Sequence, residues 1–315
     1  PAGHTDRVRA LLIARFGGRH LIVSGSWDTT VRLWDPITGC PAGPPLVGHR
    51  GAVEAVAAGR IGGRNMIVSG SWDGTVRLWD PATGELAREP LTGHDGPVGG
   101  VAIGRLRNRD VIVSSGSDAT VRLWDPQTGR QLRRPLVGHH RAIGTIALGG
   151  TRTRPIVIST SGDATIRAWD LATGEPLGPA LTGHDAWIRG AAISRLRGRQ
   201  VIVSGGGDAT VRVWDLDTGR QVGEPLTGHQ GPVDAVAAGH LDGQPVIVTG
   251  SWDTTVRIWD LAAGRQISEP LTGHDDWVLA VTFGRVKGRD VIVSGSDDRT
   301  ILVRERAALA TLLED

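Results

Sequence analysis

His49, Ser69 and Asp73 are the three residue types of a hydrolytic triad: a base, a nucleophile and an acid to orient the base. Placed together they would perform acyl transfer. The same pattern, however, recurs in every 45-residue segment of the 315-residue chain, seven times over with Thr249 for serine in the sixth, whereas a catalytic triad is built once per site. No G-x-S-x-G elbow or other nucleophile motif accompanies them. Metal binding fails on spacing, since the recurring histidines stand one per segment and no two share a pattern such as H-x₃₋₅-H. Phosphate-loop, dinucleotide and EF-hand patterns are absent, so neither metal nor cofactor is expected.

The elements that must position these residues are read from the repeat itself. Residues 69–80, SGSWDGTVRLWD, return as SGSWDTTVRLWD at 24–35, SSGSDATVRLWD at 114–125 and STSGDATIRAWD at 159–170. They return again as SGGGDATVRVWD at 204–215, TGSWDTTVRIWD at 249–260 and SGSDDRTILVRE at 294–305. A fixed period of this length marks an array, solenoid or propeller. Met66-Ile67-Val68 leads into a turn at Asp73-Gly74, and Thr75 to Trp79 returns with period-two alternation, which predicts a β-hairpin. Val53 to Ala58 reads as a strand before it. Glu85 to Leu91 reads as a fourth, more polar strand after the Pro81–Gly84 turn. The aspartates after each repeat tryptophan (Asp35, Asp80, Asp125) suit acceptance of turn N–H groups.

A Gly-His pair precedes each hairpin: Gly3-His4, Gly48-His49, Gly93-His94, Gly138-His139, Gly183-His184, Gly228-His229 and Gly273-His274. With Trp-Asp closing the hairpin, the chain resembles the WD-repeat β-propeller family over its whole length. The resemblance implies an all-β, seven-bladed β-propeller with four antiparallel strands per blade. It implies one domain, 1–315, with repeats 1–45, 46–90, 91–135, 136–180, 181–225, 226–270 and 271–315. Blade seven is expected to take its outer strand from Ala308 to Asp315, although ALATLLED lacks the Thr-Gly turn of its siblings and has helix propensity.

The resemblance also gives the polar set its work, a hydrogen-bonded chain in which a hydroxyl accepts from a buried indole and an aspartate orients the imidazole. The matching positions are His4-Ser24-Asp28-Trp34, His49-Ser69-Asp73-Trp79, His94-Ser114-Asp118-Trp124 and His139-Ser159-Asp163-Trp169. They continue with His184-Ser204-Asp208-Trp214 and His229-Thr249-Asp253-Trp259. In blade seven His274, Ser294 and Asp298 remain but Arg304 replaces the tryptophan, so that network is expected to be broken.

Function must then come from what varies between repeats. Of 11 tryptophans, five lie off the repeat position. Trp27, Trp72 and Trp252 precede the hairpin aspartate; Trp187 and Trp277 follow the Gly-His histidine. In a propeller both positions fall on one face, the face on which relatives often bind partners. Blade by blade it carries Arg7, Arg9 and Trp27; Ala52, Glu54 and Trp72; then only small residues on blades three and four. Trp187 and Arg189 follow, then Asp234 and Trp252, then Trp277, Leu279 and Asp297. Five tryptophans thus fall on consecutive blades around the ring, beside arginines, and both types are enriched at binding hot spots. The alternative is that these tryptophans only fill space beside neighbouring blades, and Trp27 is expected on an open surface.

The opposite face carries arginine-rich hairpin loops: Arg15 and Arg19; Arg60 and Arg64; Arg105, Arg107 and Arg109; Arg152 and Arg154; Arg195, Arg197 and Arg199; Arg285, Lys287 and Arg289. They could bind nucleic acid or another polyanion through phosphates. The post-Trp aspartates share that face, no aromatic side chains interleave to stack bases, and a solvated rim is the preferred reading. The net charge of +2 is small and predicts no nucleic-acid partner by itself. No apolar run approaches the ~20 residues of a membrane span, and the single cysteine, Cys40, suits a reducing compartment. The sequence is therefore read as a non-enzymatic, cytoplasmic protein-interaction scaffold. It is expected to be monomeric as a domain and to be the sensing or scaffolding module of a larger signalling protein. A protein or peptide partner is expected on the Trp-bearing face; polyanion binding by the arginines and carbohydrate binding by the tryptophans are the alternatives.

Overall fold

Three runs of small and apolar residues per repeat, separated by left-handed turn residues, become three regular antiparallel strands. The computed structural model describes residues 3–151, 153–241 and 243–305. The first strands are Val8–Phe16, Val53–Ile61, Val98–Leu106, Ile143–Gly150, Ile188–Leu196, Val233–Leu241 and Val278–Val286. Each pairs with the second strand of its own repeat, and that strand with the third, so that every sheet is built from consecutive chain. The second strands, such as Arg64–Ser71, are buried along their last six residues on both faces, as central strands covered by neighbours are. The third strands are short: Val31–Trp34 and Val76–Trp79 carry four residues each.

The expected fourth strand is reduced. Among the described residues two sheets have four strands and five have three. In the two sheets with a regular fourth strand, its members are Leu136–Val137 and Arg265–Gln266. Elsewhere the outer segment of the first six repeats touches the third strand at isolated bridges, such as Val76 with Leu91 and Trp79 with Leu86. Asp80 accepts N–H groups of the following turn, and Pro and Gly residues interrupt a continuous ladder. The outer strand expected from Ala308 to Asp315 lies outside the described residues.

The sheets pack by one recurring contact. A Cβ at Gly70 would lie 2.6 Å from Val98 Cγ1 of the next sheet, and Gly25, Gly205 and Gly250 meet Val53, Val233 and Val278 the same way. Glycine permits that close approach, and in the third and fourth repeats Ser115 and Thr160 stand at the position. The seventh sheet meets the first identically, with Gly295 against Val8. The first strands touch in sequence order and the last touches the first, which makes a cycle around a central channel. Each repeat tryptophan packs onto the preceding sheet, Trp79 on Val31 and Leu46, Trp124 on Val76 and Leu91. Among the described residues no helix is long and apolar enough to cross a membrane.

Candidate functional site

The polar sets close into chains that cross each sheet. The indole Nε1–H of Trp34, Trp79, Trp124, Trp169, Trp214 and Trp259 donates to the Ser or Thr hydroxyl of its repeat at 2.7–2.9 Å. That hydroxyl lies 2.7–2.9 Å from the histidine Nε2. Nδ1 lies 2.7–3.0 Å from the aspartate. A carboxylate only accepts, so Nδ1 carries the proton and Nε2 is left to accept from the hydroxyl. Burial first, and the arginine beside each ring, hold His94, His139 and His274 below the ordinary imidazole pKa, outweighing their aspartates. A neutral imidazole with both nitrogens engaged is a structural link. The serines, at 0 % exposure, face no substrate.

The sequence reading missed a further member, the threonine two residues after each aspartate. Thr75 Oγ1 donates to Asp73 Oδ1 at 2.6 Å, and Thr30, Thr120, Thr165, Thr210, Thr255 and Thr300 do the same. Its presence in all seven repeats was the available signal. Burial pushes the Asp73 carboxyl up, but hydrogen bonds from His49, Thr75 and Arg50 N–H prevail and hold it well below the carboxylate range. In the second to sixth repeats the Gly of the Gly-His pair is explained by the ring beside it, since a Cβ at Gly48 would lie 3.1 Å from Trp79 Cη2.

The network expected to be broken in repeat seven is intact. Arg304 Nη1 donates to Ser294 Oγ at 2.7 Å, where the other sheets present an indole, and Nη2 donates to Thr272 O at 2.8 Å. A guanidinium long enough to reach the hydroxyl substitutes for the indole donor.

The variable residues converge at one end of the ring. Trp27, Trp72, Trp187, Trp252 and Trp277 all line one depression, together with Arg7, Arg9, Arg189 and Glu54. The charged members among them are placed by the first strands. Every one has a register shift at its second residue, a bulge at Arg9, Glu54, Gly99, Gly144, Arg189, Asp234 and Leu279. A bulge re-aims a side chain, and these seven residues ring the mouth of the channel.

Two aromatic groups form there. Trp252 and Trp277 stack with centroids 3.9 Å apart and planes 5° apart, and Trp187 lies 5.7 Å from Trp252. Trp187 has room because Gly207 stands where three other sheets carry a tryptophan; a Cβ there would sit 2.8 Å from its ring. On the next two sheets Trp27 and Trp72 lie 4.7 Å apart and both donate Nε1–H to Glu54 Oε1 at 2.8 Å. Trp27, expected to be open, is half-buried: it is held by that bond and covered by Arg7 4.2 Å above its ring.

Three charges expected on the open face are instead turned inward. Arg9 Nε donates to Glu54 Oε2 at 3.0 Å, and Nη1 reaches Asp234 across the channel. The Asp234 side chain is fully buried. Burial alone lowers the Arg9 pKa, but Asp234 and Glu54 more than reverse this and hold it above its ordinary value, so the guanidinium stays charged. Arg7 pairs with Asp297 at 2.9 Å. The sequence reading overlooked Arg141, which also lines the depression; an arginine where other repeats have Gly, Ala or Asp was its signal.

At the opposite end, arginines are engaged by the post-Trp aspartates: Arg64 with Asp80 at 2.6 Å, Arg199 with Asp215 at 3.4 Å and Arg19 with Asp35 at 3.5 Å. Arg60 folds back on Gly63 O at 2.6 Å. Among the described residues no cluster of three or more His, Cys, Asp or Glu could hold a metal ion.

The family model for the WD domain, G-beta repeat, matches residues 2–35, 44–80, 84–125, 175–215, 219–260 and 264–304. The segment between 125 and 175 is unmatched, yet its sheet carries the same His139–Ser159–Trp169 chain as its neighbours. No curated protein matches the chain closely enough to add a more specific relative.

Proposed function

The chain belongs to the WD-repeat family, and from that premise we propose that it forms a single seven-bladed propeller, residues 1–315, that binds a protein or peptide at its tryptophan-lined end. WD repeats generally serve protein–protein interaction, and the same reading makes this propeller a non-enzymatic, monomeric scaffold. Its use as the sensing or scaffolding module of a larger cytoplasmic signalling protein rests on family analogy.

The observation that carries the reading is the convergence of five tryptophans on one depression, held in place by Glu54, Arg9 and Arg7. Rigid aromatic anchors that are already ordered bind at small entropic cost. The space they border, about 570 Å³ and open to solvent, is lined by several aromatic faces at once and suits the side chains of a peptide. Carbohydrate binding fits less well, because the Trp252 and Trp277 faces cover one another. Polyanion binding at the other end competes with the carboxylates already paired there.

The test uses a partner captured from extract and measured by calorimetry. Trp187→Ala and Trp277→Ala should each weaken it by ~2 kcal/mol or more, the hot-spot scale. Reversing Arg107 and Arg197 at the opposite end should leave affinity unchanged at physiological salt. If the arginine reversals abolish binding while the tryptophan variants bind normally, the chosen end is wrong. Free sugars that bind with the partner's tryptophan dependence would favour the carbohydrate reading.

A further inference from the structure

Four guanidinium groups and one carboxylate line the tryptophan depression. Two of the four are committed within the protein, Arg7 to Asp297 and Arg9 to Glu54 and Asp234. The other two, Arg141 and Arg189, donate no hydrogen bond among the described residues. Among the described residues the one carboxylate within 4.0 Å of either is Asp234, 3.8 Å from Arg189 Nη1 but already held by Arg9.

Their placement is built by the chain. Arg141 comes from the fourth repeat and Arg189 from the bulge of the fifth, on adjacent sheets. Gly162 stands where the second repeat has Trp72, and Arg141 borders the space left by the missing side chain, its Cβ 3.5 Å from where a Cβ of residue 162 would lie. Gly144 takes Arg189 in the same way, with Cγ at 3.5 Å. Arg189 also lies over Trp187, 4.9 Å from the ring centroid, which steadies the guanidinium while leaving its edge N–H groups free. The acid nearest in sequence, Asp185, is exposed on the loop that precedes Trp187 but does not line the depression.

Resting on the partner-binding reading above, we propose that the partner is an acidic peptide segment. A Glu or Asp carboxylate sits between Arg141 and Arg189, and the apolar side chains flanking it lie against Trp187, Trp252 and Trp277. Charge complementarity selects the acid, since the two uncommitted charged groups of the depression are both cations and the buried, unpartnered Trp252 indole N–H beside them is a further donor. The adjoining aromatic group selects an apolar neighbour. Arginine presents paired N–H groups that match a carboxylate.

The test applies peptide libraries with randomised flanks and a fixed Leu-X-Leu core, X being Glu, Gln, Lys or phosphoserine, to the immobilised protein. The Glu core should be retained about fivefold over the Gln core, the range of a partly exposed charge-assisted pair, and the Lys core excluded. The preference should fall with added salt. It should vanish in Arg141→Gln and in Arg189→Gln, with the melting temperature unchanged in the former. Trp277→Ala should release every core alike. Equal retention of Glu and Gln cores, both released by Trp277→Ala, overturns the acidic anchor and leaves the binding end standing. Retention of the phosphoserine core alone overturns the carboxylate. Retention that is unaffected by Trp277→Ala, or no retention at all, overturns both.

Discussion

Arg304 reaches Ser294 Oγ with Nη1 at 2.7 Å, and the matching hydroxyl of the other six sheets accepts from a tryptophan indole. The donor is replaced but the price is a charge, and burial lowers the Arg304 pKa. Exchanging a buried charge for a packed apolar group of similar reach is often neutral or stabilising. Arg304→Trp should therefore hold or raise the melting temperature, whereas Arg304→Ala, which strips Ser294 of its donor, should cost about 1–3 kcal/mol. Thermal melts of the three proteins decide it. A tryptophan variant less stable than the alanine one would show that the seventh sheet has adapted around the guanidinium.

Glu54 is the hub of the binding end, since one oxygen accepts from Trp27 and Trp72 and the other from Arg9. Removing a partner from a buried ion cluster costs about 3–5 kcal/mol, and the Glu54 side chain is 13 % exposed, so Glu54→Ala should fall near the lower end. The tryptophan emission should shift red as both indoles lose their acceptor. Unchanged emission together with unchanged stability would remove Glu54 from its organising role.

Acid should destabilise the protein in two stages. Burial holds His94, His139 and His274 below the ordinary value of about 6.5, so the unfolded chain binds more protons than the native one between those values. Their contribution is complete above about pH 6.5 and is lost as pH falls through the native pKa. Asp28, Asp73, Asp208 and Asp253 are raised by burial but lowered further by their histidine and threonine partners; their contribution is present above about pH 4 and lost below it. Asp297, raised by burial against the pull of Arg7, works in the opposite direction. Melting temperatures measured from pH 8 to pH 3 should decline from about pH 6.5 and more steeply under pH 4. A flat profile between pH 7 and 5 would contradict the buried neutral imidazoles.

The repeat made the strands and the hydrogen-bonded chains legible because both recur at a fixed offset, so one copy explains the others. What varies was legible by residue type but not by direction. Arg9, Glu54 and Asp234 stand at one repeat position, and only the bulge there reveals that they aim into the channel and pair with each other. Arg304 reads as a gap when tryptophan is the requirement, but the requirement is a donor of sufficient reach. The fourth strand read from Glu85 to Leu91 dissolves into two bridges, since local alternation says nothing of whether a ladder continues.

The two kinds of tryptophan should separate in stability. Trp124 is 2 % exposed and its indole is bonded to Ser114 at 2.8 Å, so Trp124→Ala removes packing and a donor together, at about 3–5 kcal/mol. Trp277 is half-buried and its main contact is the stack on Trp252, so Trp277→Ala should cost about 1 kcal/mol, the scale of an aromatic pair. Trp27→Ala falls between, losing its bond to Glu54 and the cover of Arg7. Denaturant melts of the three variants should give that order. If Trp277→Ala proves as costly as Trp124→Ala, Trp277 belongs to the core, and any loss of partner binding in that variant would report unfolding instead of a contact.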